Sequence, residues 1–159
     1  MEKILISACL AGDKVRYDGR EKPLESPLVT RWQKEERLVK ICPEVSGGMK
    51  IPRSPAQIVN GNGLDVLNGT ARVMDIEGCD VTGFFIRGAE YALSLSQKYS
   101  IRFAILKEKS PSCGVHQIYD GSFSSLLIPG SGVTAALLRK NHIRVFSENE
   151  LKLVERFLS

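Results

Sequence analysis

The run Lys3-Ile4-Leu5-Ile6-Ser7-Ala8-Cys9 sets the reading of this chain, because an apolar, strand-like segment gives way within a few residues to a thiol. The pattern returns twice. Leu38-Val39-Lys40-Ile41 leads into Cys42, and Ile101-Arg102-Phe103-Ala104-Ile105-Leu106 is followed by a loop that carries Cys113. In an open α/β sheet the loops after the strands converge on one edge, and ligands bind there. Three thiols delivered to that edge could hold a metal centre and leave one coordination position open, as a catalytic metal requires and a structural one lacks.

The segments around these runs supply the helices. Pro27 suits the first turn of a helix reaching about Arg37, with Ser26 as its cap. A second helix is expected over about 79–98, where Val81, Phe85, Ala89, Ala92 and Ser96 share a face. Gly130-Ser131-Gly132 precedes a helix over about 132–141. A fourth strand, Ile143–Phe146, leads to a last helix at about 148–158, with Ser147 as cap and Glu148 and Glu150 in an acidic first turn. Residues 12–27 read as a loop. Residues 46–63, rich in Gly and Pro, read as loop with one helical turn near Ala56–Val59. Leu64–Leu67 and Thr70–Val73 flank Asn68-Gly69 and predict a hairpin, and a second hairpin is expected around Tyr119-Asp120-Gly121-Ser122-Phe123. Strand–helix alternation with short apolar strands predicts an α/β fold: one domain over residues 1–159, a parallel-sheet, Rossmann-like sandwich with helices on both faces and small hairpin insertions.

Composition limits the function classes. With 159 residues, 43% of them hydrophobic and 25% charged, the chain matches an ordinary soluble globular domain. Its net charge of +4 is spread among interspersed acids and bases, without a Lys/Arg block or an aromatic stripe, which argues against nucleic acid as partner. No apolar stretch approaches the roughly 18 residues of a membrane span. Met1-Glu2-Lys3 enters a strand directly, without the pattern of a secretory signal, so a cytoplasmic location is expected. Four cysteines in a reducing compartment are more often free, metal-bound or catalytic than paired.

Soft thiolates select zinc, copper(I) or iron–sulfur clusters, and ligands this far apart in sequence do not choose among them. Cys113-Gly114-Val115-His116 keeps a Cys3His zinc site open as a rival. Glu44 lies two residues beyond Cys42. In an extended chain it shares that side, placed to act as general base. In Ser110-Pro111-Ser112-Cys113-Gly114 the amides could bind an anion, or the hydroxyls could orient a substrate. The Gly130-Ser131-Gly132 helix start could likewise cradle an anion, which gives a second rival, a cofactor-free anion-binding module. Arg16, Asp18, Arg53 and Ser112 are candidate substrate contacts. Cys79 reads as structural or incidental, and His142 has no assigned role.

Taken in order, Ser7-Ala8-Cys9-Leu10, Arg16-Tyr17-Asp18-Gly19, Ile41-Cys42-Pro43-Glu44-Val45-Ser46-Gly47-Gly48, Pro52-Arg53-Ser54-Pro55, Ser110-Pro111-Ser112-Cys113-Gly114, Tyr119-Asp120-Gly121 and Gly132-Val133-Thr134-Ala135-Ala136-Leu137-Leu138 resemble a bacterial family whose characterised members are thiouracil desulfidases. The resemblance runs from Lys3 to about Glu148. It implies a [4Fe-4S] cluster held by Cys9, Cys42 and Cys113, with one iron free of protein. It also implies that Glu44 and Ser110 assist catalysis, and that the substrate is a small thiolated, nucleobase-like molecule losing its thiocarbonyl sulfur to water without net electron transfer. This chain departs from the family pattern at Ala11, where leucine is common, and at Val15, where some members carry cysteine. Neither position is a ligand implied by the resemblance.

Overall fold

The computed structural model describes residues 1–19 and 24–158; the middle of the expected 12–27 loop therefore lies outside the described residues. In chain order the first half contains β1 (Ile4–Ser7), α1 (Pro27–Lys34), β2 (Leu38–Ile41), α2 (Pro43–Ser46), β3 (Ala56–Val59), α3 (Gly63–Leu67) and β4 (Arg72–Asp75). The second half contains α4 (Thr82–Lys98), β5 (Phe103–Leu106), β6 (Gln117–Tyr119), β7 (Leu127–Pro129), α5 (Val133–Lys140), β8 (Arg144–Ser147) and α6 (Leu151–Phe157).

The expected α/β architecture is present. A four-stranded parallel sheet has the order β2-β1-β5-β8. β1 and β5 are buried along their whole length, as strands covered on both faces must be. Alternation sends Leu5, Ala104 and Leu106 to one face, against Ala92 of α4 and Ala135 and Leu138 of α5. Ile4, Ile6 and Ile105 face the other way, onto Trp32 of α1 and Val154 of α6. From β1 the chain passes to β2 on one side and later to β5 on the other, so the order reverses between β1 and β5. The carboxyl ends there form the crevice where such sheets bind ligands.

The insertions depart from expectation in part. Ala56–Val59 is not a helical turn but β3, paired antiparallel with β4. The hairpin expected across Asn68-Gly69 does not form, because Leu64–Leu67 belong to α3. The cause is a capping box: Asn62 Oδ1 accepts from Asp65 N at 3.2 Å, and Asp65 Oδ2 accepts from Asn62 N at 2.9 Å. Asn68-Gly69 ends that helix, with Gly69 at φ +81°. The second hairpin is present as β6–β7, with its loop running from 120 to 126. Ser26 caps α1, accepting from Leu28 N at 3.2 Å. At the last helix, Ser147 Oγ accepts from Asn149 N and Glu150 Oε1 from Ser147 N, so the expected capping bonds close a turn ahead of α6. Among the described residues no helix is long and apolar enough to cross a membrane.

Candidate active site

All three singled-out thiols reach the carboxyl edge of the sheet. Cys9 sits in the 3-10 turn Ala8–Ala11 that follows β1, Cys42 caps α2 directly after β2, and Cys113 lies in the loop after β5. They line one cavity of about 490 Å³, together with Arg16, Glu44, Arg53, Ser110 and Ser112. Burial pushes the Cys9 thiol up to about 11, and the neighbouring Cys42 adds to the rise. Burial pushes Cys113 up to about 12; the Ser7 and Ser112 hydroxyls oppose the shift, and Cys42 and Cys9 add to it. Cys42 is also raised by burial, against the backbone amide of Val45. The mutual effects mean that the three sulfurs share one electrostatic environment. All four cysteines are free, and Cys79 is exposed and does not line the cavity.

Glu44 reaches the cavity by a route other than the extended chain expected. Pro43 opens α2 with its fixed φ, and Glu44 lies in that first turn. Glu44 Oε1 accepts from Arg53 Nε at 3.0 Å, and Oε2 accepts from Ser112 Oγ at 3.2 Å. Ser112 Oγ lies 3.0 Å from Ser110 Oγ, which also accepts from the backbone N–H groups of Ser112 and Cys113, each at 3.1 Å. Two hydroxyls thus run in series from the carboxylate. The carboxylate is the strongest acceptor near Ser112, so Ser112 donates to it and Ser110 donates to Ser112. The loop amides that could have met an anion are satisfied internally.

Sequence reasoning makes Arg53 a substrate contact, but its geometry ties it to the protein. Besides Glu44, it donates through Nη1 to the Lys50 carbonyl at 3.2 Å and through Nη2 to the Val15 carbonyl at 3.0 Å, and its side chain is only 7% exposed. The Val15 carbonyl also accepts from Cys42 Sγ at 3.8 Å. Arg53 therefore fixes Glu44 and braces the loop behind Cys42. Arg16 lines the cavity and acts on Cys9; Asp18 is exposed and does not line it.

Close backbone contacts hold the two later thiol loops. A Cβ on Gly88 of α4 would lie 1.9 Å from the Pro43 carbonyl oxygen, and one on Gly47 would lie 2.0 Å from that of Phe84. Paired glycines let α2 seat directly on α4. At the other loop, a Cβ on Gly132 would come within 2.5 Å of Ser112 backbone atoms. Val133 N donates to the Pro111 carbonyl at 2.9 Å, and Thr134 N to that of Ser112 at 2.8 Å. This overturns the anion-cradle reading of Gly130-Ser131-Gly132: the first amides of α5 are already bonded to the Cys113 loop.

The zinc rival also loses its fourth ligand. His116 points away from the cavity, with Nε2 2.7 Å from Glu150 Oε1 and its side chain 55% exposed. Among the described residues no group of three His, Cys, Asp or Glu side chains could hold a single metal ion. Sequence reasoning missed Lys107, Gln57, Tyr119 and Phe123, which also line the cavity. Lys107 follows β5 directly, and its position was the available signal. The others come from β3 and from the hairpin, where the sequence pattern places the pairing wrongly or only roughly.

Comparison with known proteins agrees with this picture. Residues 4–150 match the family model described as 2-thiouracil desulfurase. The uncharacterized protein YbbK of Bacillus subtilis (strain 168) is 47% identical over 148 residues, which cover 93% of this chain and 97% of YbbK. A solved structure of TudS, a [4Fe-4S]-dependent thiouracil desulfidase, superimposes with a TM-score of 0.89 at 43% identity, covering 99% of this chain and 100% of TudS. The thiol-lined cavity thus sits in a chain that belongs to the 2-thiouracil desulfurase family.

Proposed function

We propose that this protein is a [4Fe-4S]-dependent desulfidase that replaces the thiocarbonyl sulfur of a 2-thiouracil-like base with oxygen from water. The balance is one thiocarbonyl plus one water giving one carbonyl plus one hydrogen sulfide, with no electrons consumed. The carrying observation is the delivery of three thiols to one cavity beside the Glu44–Ser112–Ser110 hydrogen-bond series.

The donor set fits the cluster. Cys9, Cys42 and Cys113 are soft sulfur donors that face one cavity, yet no three ligating side chains among the described residues could share a single ion. These three residues would hold the cluster. When bound, it supplies a Lewis-acidic iron without a protein ligand, suited to polarising a thiocarbonyl sulfur.

The chain's own residues handle water and protons. Arg53 holds Glu44 by one oxygen, and Glu44 Oε2 removes a proton from the attacking water. Ser112 and Ser110 donate in series toward Oε2 and hold the carboxylate for that transfer, and Glu44 returns the proton to the departing sulfur or to a ring nitrogen. Arg16 faces the negative charge that builds up on the thiol side of the cavity. Four unpaired cysteines suit the reducing cytoplasm, where we place the reaction.

The test is direct. Protein reconstituted with iron and sulfide without oxygen should convert 2-thiouracil to uracil with one sulfide per turnover. Full cluster loading without any desulfurisation of thiolated bases would refute the reading.

A further inference from the structure

Gln57, on β3, lines the same cavity but takes no part in the proton path. Its Oε1 accepts from Gly121 N at 3.0 Å and from Phe123 N at 3.2 Å. Both partners are backbone N–H groups, which can only donate, so the amide has one possible orientation. Its oxygen faces the 120–126 loop. Its Nε2 has no hydrogen-bond partner among the described residues. Gly121 lies at φ +93°, and a Cβ there would come within 2.6 Å of the Ile58 carbonyl oxygen, so the loop rests on β3 beside this amide. Phe123 and Tyr119 from the hairpin join Ile76, 58% exposed, on the cavity wall. Two fixed N–H donors beside aromatic and apolar surface form a wall suited to a flat ring with an acceptor on its edge.

We propose that Gln57 selects the substrate ring, its Nε2 hydrogens donating to an exocyclic carbonyl oxygen of a thiolated pyrimidine. A 2-thiouracil ring carries such an oxygen. A 2-thiocytosine ring carries an amino group there, which sets donor against donor. The inference rests on the desulfidase reading, since it concerns the substrate of the same cavity.

Gln57→Glu is the sharp variant. It keeps an acceptor for Gly121 and Phe123 and replaces only the N–H donors. Wild type, Gln57→Glu and Gln57→Leu, at matched iron content, are assayed on 2-thiouracil and 2-thiocytosine, and calorimetry measures uracil and cytosine binding separately from turnover. Wild type should favour 2-thiouracil by about 10–100-fold in kcat/KM, the usual penalty for leaving a polar group unpaired. Gln57→Glu should lose most of that preference, mainly through KM on 2-thiouracil, and should bind cytosine at least as well as uracil. Gln57→Leu, which also releases the loop, should weaken both substrates. A Gln57→Glu protein with the wild-type preference, or with both substrates reduced equally, overturns the role of Gln57. A loaded wild type that turns over neither substrate overturns the desulfidase reading instead.

Discussion

Gly88→Ala puts the seating of α2 on α4 to the test. In an exposed helix interior, alanine in place of glycine stabilises by about 1 kcal/mol, because it restricts the unfolded chain and improves helix propensity. Position 88 is buried, and the new Cβ would lie 1.9 Å from the Pro43 carbonyl oxygen, where ordinary contact begins near 3.4 Å. The obstacle is backbone and cannot rotate away, so α2 must retreat by about 1.5 Å, the difference between those two distances. Overpacking of this kind costs about 1–3 kcal/mol and outweighs the propensity gain at its upper end. For a chain of this size, each kcal/mol lowers Tm by about 2–4 °C. The retreating segment carries Cys42 at its cap and Glu44 in its first turn, and a displacement of about 1 Å at reacting groups can cost roughly 100-fold in rate. The expected result is a Tm lower by a few degrees, reduced iron per chain after anaerobic reconstitution, and a disproportionate loss of kcat. A variant with raised Tm and full iron would show that α2 is not held by this contact.

Three further expectations follow from the site. Serine at position 9, 42 or 113 should abolish or sharply reduce retained iron and sulfide, whereas Cys79→Ser should load like wild type; full loading of Cys42→Ser, read by metal analysis, would remove it from the ligand set. Glu44→Gln keeps the shape but not the basicity, so iron should stay while kcat falls about 10²–10⁴-fold; wild-type turnover would reject the base role, and loss of iron would make Glu44 a support of the cluster. Burial raises the Glu108 carboxyl, but the N–H groups of Gln117, His116 and Val115 outweigh it and leave the pKa below its ordinary 4.5. That stability is complete above the ordinary value and is lost as pH falls through the lower folded one. Wild type should therefore lose more Tm than Glu108→Gln between neutral pH and the low-pH end of that window, and parallel Tm curves would refute the assignment.

The sheet was legible because its signal is local. Runs such as Ile4–Ile6 and Phe103–Leu106 are apolar on both faces and too short for helices, and Pro43 marks the end of β2 within the motif itself. The stretch from 56 to 75 was not, because Leu64-Asp65-Val66-Leu67 fits one helical turn as well as a short strand. The deciding signal was present: Asn62 stands three residues before Asp65, a capping pair that outweighs the turn propensity of Asn68-Gly69. The three thiols and Glu44 were legible from motif context, but the work of Arg53 was not. Its three partners, Glu44, Lys50 and Val15, come together only when the loops before α1 and after α2 close on each other. A loop arginine near a site reads as a substrate contact until its hydrogen bonds are counted.

The same counting decides what kind of charge the cavity can meet. The start of α5 looks in sequence like a place for an anion, yet its first amides are bonded to the Pro111 and Ser112 carbonyls. The amides of Ser112 and Cys113 are bonded to Ser110 Oγ. Backbone dipoles therefore position Cys113 rather than receive a ligand. Positive charge at the cavity has to come from side chains. Arg53 is paired with Glu44, and Lys107 is paired with Glu148 at 3.0 Å. Both Arg16 and Lys107 draw the Cys9 thiol down against its burial. A free inorganic anion would find these loop amides and the Arg53 and Lys107 cations already partnered, whereas soft sulfur ligands that become negative on losing their protons lie within the field of Arg16 and Lys107. That asymmetry separates a thiolate-held centre from an anion-binding module on the structure's own terms, and it agrees with the family to which the chain belongs.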